Sequence, residues 1–504
     1  EEIIIFGKPN HYNGSINFSH PELDTLQNRL NSAPLEAVYH TTEMMKTRRI
    51  ETKVIRQIIK NALNHERYSI PEIFTDEFCK KYKLIPRNKA FQYIHQPPSQ
   101  RHIEAAQYRF KFEELFFLQF PFIRKKMIRK EVNHGIKFTT NNISYTHFIN
   151  QQLAFKLTNA QEKVLEEISS DLYSGKQMNR LLQGDVGSGK TIVAFLTVLR
   201  AIDNNYQASL MAPTEILAIQ HYIGLKELAD KINIQIGLLT GSTPKKERIE
   251  LHKKLLSGDI KLLIGTHTLI EDTVAFNNLG LVIIDEQHRF GVAQRAKLQS
   301  KGIQNPHVLV MTATPIPRTL AMSMYGDLDY SVIDEMPAGR KPIKTVHRFG
   351  FAREKVLKFV KEQIIKGRQA YIVYPLIEES EKLHYKDLNN GYDELLLSFP
   401  RPTYQVEMLH GKMKPSDKEA KMKDFADGKT HILVSTTVIE VGINVPNASI
   451  MIIESAEKFG LSQLHQLRGR VGRGDEQSYC ILLSSKKLSS NARTRLQAMV
   501  QTSS

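Results

Sequence analysis

Two cysteines, Cys79 and Cys480, are all that 504 residues hold. That is too few for a Cys-rich metal site or a disulfide framework, so a reducing cytoplasm is the expected compartment. No run of 18 apolar residues occurs, which excludes a helical membrane span. A secretory signal, a short-period repeat and a low-complexity tract are also missing. The chain opens at Glu1-Glu2 without a Met and is read as part of a longer protein. Acidic residues are in deficit, 53 against 69 Lys plus Arg, giving a formal net charge of +16. Residues 1–150 hold 23 basic and 15 acidic residues, which is half the excess. Such a balance favours a polyanionic partner; a basic soluble enzyme without one is the alternative.

What is present divides the chain. At 41% hydrophobic, its length supports three or four domains. Residues 1–45 read as β-rich, with Ile3–Phe6 and Ser15–Phe18 flanking an Asn13-Gly14 turn signal. Residues 46–150 read as helical and basic, densest at Arg124–Lys130, a run that suits DNA phosphates or a solvated helix face. Six phenylalanines between Phe110 and Phe122 are read as packing between domains. From 151, short apolar runs alternate with helical lengths, as in a parallel, doubly wound sheet. The runs lie at Leu181-Leu182, Ser209–Met211, Leu262–Ile264, Leu281–Ile284 and Val308–Met311. Glu335–Pro342 breaks the alternation like a linker. It restarts at Tyr371–Tyr374, Ile432–Val434, Ile450–Ile453 and Tyr479–Leu483.

Residues 180–195 read RLLQGDVGSGKTIVAF. Gly184 to Thr191 fits G-x-x-x-x-G-K-[ST]. Gly184, Gly187 and Gly189 let the backbone curl through Ser188 with its N–H groups facing phosphate oxygens. Lys190 would reach the β- and γ-phosphates of a nucleotide, and the Thr191 hydroxyl would sit on Mg²⁺. Kinases, transporter ATPases, GTPases and motors all carry this loop. The second α/β unit has none, so one nucleotide between the two is expected.

Val282–His288 is an apolar strand that ends in Asp285 and Glu286. Asp285 would hold Mg²⁺ through water, and Glu286 would orient and deprotonate the attacking water. Arg470 and Arg473, three apart in Gln463–Gly474, read either as arginine fingers reaching a γ-phosphate or as a basic surface turn. Thr158 and Gln161 have capping-box spacing, which explains both residues structurally.

These segments resemble the superfamily-two helicases and translocases. Asp285-Glu286-Gln287-His288 is similar to their DExH box, and Gln466–Arg473 to Q-x-x-G-R-x-G-R. Ala212–Glu215, Thr240–Ser242 and Gly265–Thr268 resemble strand-gripping motifs, which implies DNA contacts at Pro213, Thr214, Thr240, Gly241, Thr266 and His267. Thr312–Pro315 resembles the coupling motif; Gln287, His288, Thr312 and Thr314 are the coupling residues implied. Ser435–Gly442 resembles the second domain's DNA and nucleotide motif, with Thr436 on DNA and Gly442 on nucleotide. In this superfamily Gln161 would read adenine, offering a donor and an acceptor.

A finer resemblance is to the RecG family of bacterial branched-DNA translocases. Ile284–Val292, Thr312–Leu320, Pro375–Ser380 and Leu409–Met413 carry it, with Phe6-Gly7-Lys8, His20-Pro21-Glu22 and Ile94–Pro98 near the N-terminus. Some of these also occur in the transcription-repair coupling factor. Asn444 stands where the family more often has Asp, and Asn still hydrogen-bonds a ribose.

The resemblance implies a multidomain fold. Residues 1–45 would be a partial OB-type β-barrel wedge and 46–150 a helical connector. Two α/β RecA-like motor domains with parallel sheets would span 151–336 and 337–488, and a C-terminal extension would start at 489–504. The family's wedge begins upstream of Glu1 and its C-terminal hairpin lies beyond Ser504. The implied activity is ATP- and Mg²⁺-dependent translocation on double-stranded DNA that remodels forks and Holliday junctions. Branched DNA and a single-stranded-DNA-binding protein are the partners expected, of a monomer in the bacterial cytoplasm at the nucleoid. Another superfamily-two translocase and a nucleotide-switched DNA-binding module are the rival readings.

Overall fold

The computed structural model describes residues 2–502 apart from 8, 13–14, 19–20, 26–34, 66–69, 133–134, 140–141, 287–291, 314–327, 338–340, 376–380, 412, 437–444, 473 and 475. The chain forms two units, residues 1–123 and 124–504.

In the first unit, β1 (Ile3–Phe6) pairs antiparallel with β4 (Glu22–Thr25). Between them β2 (Pro9–Tyr12) pairs with β3 (Ser15–Phe18), placing Tyr12 opposite Ser15. The expected turn residues Asn13 and Gly14 lie outside the described residues. Helices α1 (Glu43–Thr47), α2 (Thr52–Leu63), α3 (Asp76–Lys81), α4 (Arg87–His95) and α5 (Gln100–Val132) follow. Thr75 starts α3 by accepting the Phe78 N–H. Part of the phenylalanine run, read from sequence as packing between domains, packs within this unit. Phe116 packs edge-on against Phe74 and Phe78, as does Phe112, and Phe110 packs on Phe91, all inside this unit. Beneath them lies the fully buried Arg109. Its guanidinium donates to Glu113, Glu72 and the Ile85 carbonyl, the satisfaction a buried cation requires.

The second unit holds two sheets. The first contains β5 (Asn179–Gly184), β6 (Gln207–Met211), β7 (Ile236–Leu239), β8 (Leu262–Gly265), β9 (Leu279–Asp285), β10 (His307–Thr312) and β11 (Asp329–Ile333), all parallel, in the order β11-β5-β10-β9-β6-β8-β7. Helices α6 (Ile143–His147), α7 (Asn159–Tyr173), α8 (Lys190–Asp203), α9 (Glu215–Asp230), α10 (Lys245–Leu256) and α11 (Val292–Gln299) accompany it. Strands covered on both faces need side chains apolar throughout, and Leu281 to Ile284 are fully buried. Ile136, Phe138 and Phe148 share one core with Val193 and Leu196. The end of the expected 46–150 connector therefore packs into the core of this sheet.

The second sheet is built from β12 (Lys344–Phe349), β13 (Gln369–Val373), β14 (Val406–Leu409), β15 (Ile432–Ser435), β16 (Ala448–Ile453) and β17 (Tyr479–Ser484), in the order β12-β17-β16-β13-β15-β14. Its helices are α12 (Arg353–Ile365), α13 (Glu381–Ser398), α14 (Pro415–Ala426), α15 (Leu461–Arg468) and α16 (Ser490–Gln501).

The two sheets repeat one plan. Gln207 opens β6 beside a bulge and donates to the carbonyls of Leu255 and Ile260; Gln369 opens β13 beside a bulge and donates to those of Phe425 and Thr430. These acceptors recur 170 positions apart, as do the left-handed Gly258 and Gly428. No helix among the described residues is long and apolar enough to cross a membrane.

Candidate active site

The site grows from the carboxyl ends of the strands. β5 stops at Gly184, α8 starts at Lys190, and the intervening loop turns back on itself. Gly189 has φ +90°, and a Cβ there would collide with the amide of Gln161. Gln161 is buried and completes the predicted capping box, accepting from the Thr158 N–H while Thr158 accepts its own. Its Nε2 donates to the Ser188 carbonyl at 2.8 Å, which ties α7 to the loop. Lys190 Nζ donates to the carbonyls of Gly184 and Asp185, at 2.7 and 2.9 Å.

These groups fit an anionic phosphate chain. The first-turn N–H groups of α8 and the Lys190 ammonium gather at one helix start, and the buried Ser188 hydroxyl has no partner among the described residues. Beside the loop lies a cavity of about 240 Å³, lined by Asp185, Ser188, Ala313, Ile333, Glu335 and His465 among others.

β9 delivers the two carboxylates. Asp285 accepts from His221 Nε2 at 2.8 Å and from the Glu286 N–H at 3.1 Å. Burial works against its charge, but the His221 hydrogen bond and the nearby Lys190 hold its pKa below the usual carboxylate value. Glu286 moves the other way. Burial and the neighbouring Asp285 charge raise it, against the pull of Lys190, the Ala313 N–H and Arg470. One carboxylate is kept ionised while its neighbour is made more basic, the division of labour a metal holder and a general base require. Glu286 also has φ +50°, a strained backbone for a non-glycine residue. Thr312 Oγ1 lies 3.5 Å from its Oε2.

The second sheet reaches the same place. His465 on α15 donates from Nε2 to Asp185 Oδ1 at 2.9 Å. Gly469 passes so close that an added Cβ would lie 2.9 Å from Val186. Arg470, next in the chain, is near enough for its charge to act on Glu286. Gly184, Gly187, Ser188, Gly189, Lys190, Asp285, Glu286 and Arg470 thus gather around one loop. Gln287, His288, Thr314, Gly442 and Arg473 lie outside the described residues.

Several residues read as DNA contacts have other surroundings. Thr240, Thr266 and Thr436 are buried. Thr240 bonds within its loop to Ser242 and Thr243, and Thr266 meets Thr268. Gly241, Ser242 and His267 are the exposed members of those loops. Thr214 caps α9, accepting from Leu217, with Pro213 just before it. Glu215 accepts from the N–H and hydroxyl of Ser242, which joins the two loops.

Three functional neighbours escape sequence reading: His221 on Asp285, the Gln161 link to Ser188, and His465 on Asp185. Each depends on which face of a helix turns toward the strand ends. No motif spacing encodes that.

A phosphate loop, paired carboxylates and an arginine arriving from a second parallel sheet form a two-sheet nucleotide site of the helicase type. The DEAD/DEAH box helicase family model matches residues 158–323, and the helicase conserved C-terminal domain model matches residues 353–475. The chain is 47% identical over 470 residues to the ATP-dependent DNA helicase RecG of Bacillus subtilis (strain 168), covering 93% of this chain and 67% of that protein. Against RecG of Staphylococcus epidermidis it is 43% identical over 503 residues, covering 99% and 71%. It superposes on the structure of RecG bound to a three-way DNA junction with a TM-score of 0.77 at 39% identity, covering 100% of this chain and 66% of that one. The chain belongs to the RecG family. It spans between 51% and 71% of the length of eight curated RecG relatives that it matches.

Proposed function

We propose that the chain is the motor-bearing part of an ATP-driven double-stranded DNA translocase that remodels forks and Holliday junctions in repair and recombination. The observation that carries this reading is the convergence of the Gly184–Lys190 loop, Asp285, Glu286 and Arg470 from two sheets. Lys190 and the loop N–H groups neutralise the ATP phosphates, Glu286 orients and deprotonates water, and Arg470 with Arg473 stabilises charge on the phosphoryl group. Asp285 and Thr191 fit Mg²⁺, which adds charge neutralisation when bound. Among the described residues no cluster of three metal-ligating side chains exists, and Mg²⁺ bound chiefly through phosphate and water needs none. Gln161 steadies the loop, and its second N–H and spare lone pairs remain for adenine.

Exposed Gly241, Ser242 and His267 take DNA phosphates on loops shaped by Thr240 and Thr266, with Pro213 and Thr214 before α9 and Thr436 after β15 of the second sheet as further DNA contacts. Gln287, His288, Thr312 and Thr314 couple hydrolysis to movement, and Gly442 contacts nucleotide. Residues 1–45 form part of an OB-type wedge. The protein acts as a monomer at the bacterial nucleoid, with branched DNA and a single-stranded-DNA-binding protein as partners. Support for a branched substrate comes from the RecG relative whose structure holds a three-way junction.

The deciding experiment compares ATP turnover and strand displacement on linear duplex, RNA and a model fork. Turnover and displacement should be greatest on the fork, and binding should weaken steeply with salt as counterions are released. Turnover without displacement on any of them would make the chain a nucleotide-switched binding module.

A further inference from the structure

The contact between Asp185 and His465 joins the phosphate loop to the second sheet across 280 positions of sequence. Three observations make it more than a surface ion pair. Asp185 is largely withdrawn from water. Burial would raise its carboxyl, but the His465 hydrogen bond, the Val186 N–H and Lys190 outweigh that and hold it below its ordinary value. His465 is oriented from behind, because the Arg468 guanidinium donates toward its Nδ1 at 3.3 Å. An imidazole that accepts at Nδ1 carries its proton on Nε2, the atom facing Asp185. Arg468 is itself immobilised: it is 2% exposed, and it donates to the carbonyls of Met499 and Thr502 at the end of α16, where helix carbonyls lack internal partners.

We propose that His465 is a positioning residue for phosphoryl transfer, setting the distance between the phosphate loop and Arg470 through its hydrogen bond to Asp185. The proposal rests on the motor reading above. The His465 imidazole is committed to Asp185 at Nε2 and to Arg468 at Nδ1; it holds the first sheet's loop against Gly469, one residue before Arg470. Arg468 selects the donating tautomer, and the end of α16 keeps Arg468 in place.

The test uses the whole chain with two readouts. Amide hydrogen exchange of residues 184–189 is followed without nucleotide, and kcat and KM for ATP are measured on fork DNA. His465→Ala should speed exchange of the loop and lower kcat about tenfold, with KM changed less than about threefold. His465→Gln, whose amide N–H can stand in for Nε2–H, should recover most of both effects. Asp185→Asn combined with His465→Ala should be no worse than His465→Ala alone. Loop exchange and kcat both unchanged in folded His465→Ala, or additive losses in the double variant, would overturn the proposal. A wild-type chain that turned over no ATP on any DNA would instead sink the motor reading, while loop exchange would still report whether the tie exists.

Discussion

The two parallel sheets end differently at equivalent places. Ala208 faces Leu281 in the first sheet as Ala370 faces Ile450 in the second, so Asp285 and Glu454 each follow the last residue of matching apolar runs. β12 pairs with β17 as β5 pairs with β10. After β5 comes the glycine loop and Lys190. After β12 the chain passes through the single turn Gly350–Ala352 straight to Arg353. In the second sheet, Arg353 bonds Glu454 at 2.9 Å and also meets Glu394 and the Tyr374 hydroxyl. A cation and an acid at the strand ends are common to both sheets. Only the loop inserted in the first separates them enough for phosphates. In the second they satisfy each other.

The largest effect should come from substituting the matching cations. Lys190→Ala is expected to lower kcat for ATP by about a thousandfold or more. Arg353→Ala should change kcat less than about threefold while costing about 2 kcal/mol of stability, since it leaves Glu454 half-buried without its cation. Steady-state turnover and urea unfolding read both. Equal loss of turnover would break the comparison.

The matching carboxylates should differ next. Glu286→Gln is expected to lower kcat by a hundredfold or more with little change in KM. A general base must be deprotonated to act. With the Glu286 pKa raised by burial and by Asp285, wild-type kcat should fall on acidification at a pH above the ordinary carboxylate value of about 4.3. Glu454→Gln should leave that acid limb where it is. A pH–kcat profile of the three proteins decides.

Smallest is a difference in acid stability. His307 in β10 is fully buried, accepting from the Met178 N–H and donating to the Ile136 carbonyl. Burial pushes its pKa down to about 4, despite the Ile136 carbonyl. The folded state refuses a proton that the unfolded chain takes near pH 6.5. Stability is therefore intact above pH 6.5 and drains as pH falls toward 4, by roughly 3 kcal/mol in all. The first sheet should melt earlier than the second in this window. His307→Asn, although less stable at pH 7, should lose less on acidification, as thermal unfolding at pH 7 and 4.5 would show.

Sequence patterning reached the interior strands because burial on both faces demands uninterrupted apolar runs, as in Leu281–Ile284. It passed over β11 (DYSVI), β12 (KTVHRF), β7 and β14, which stand at sheet margins or are only four residues long, with polar or half-exposed positions that mask the signal. The phosphate loop and the paired carboxylates were readable because their chemistry needs fixed local spacing. Thr240 and Thr266 show the limit: a motif marks a loop, yet tertiary packing decides which atoms face outward. His221 and His465 were beyond reach for the same reason, since both act on residues at least 64 positions away.

Chain order has a consequence for synthesis on the ribosome. Glu286 is made long before Arg470, and translation at about 5–20 residues per second leaves roughly ten to forty seconds between them. On the reading above, a newborn first sheet, complete once β11 is made, can fold and hold nucleotide in the later part of that interval, but the arginine that completes its chemistry does not yet exist. On that same reading, no fuel is burned until the second sheet has emerged to be moved by it.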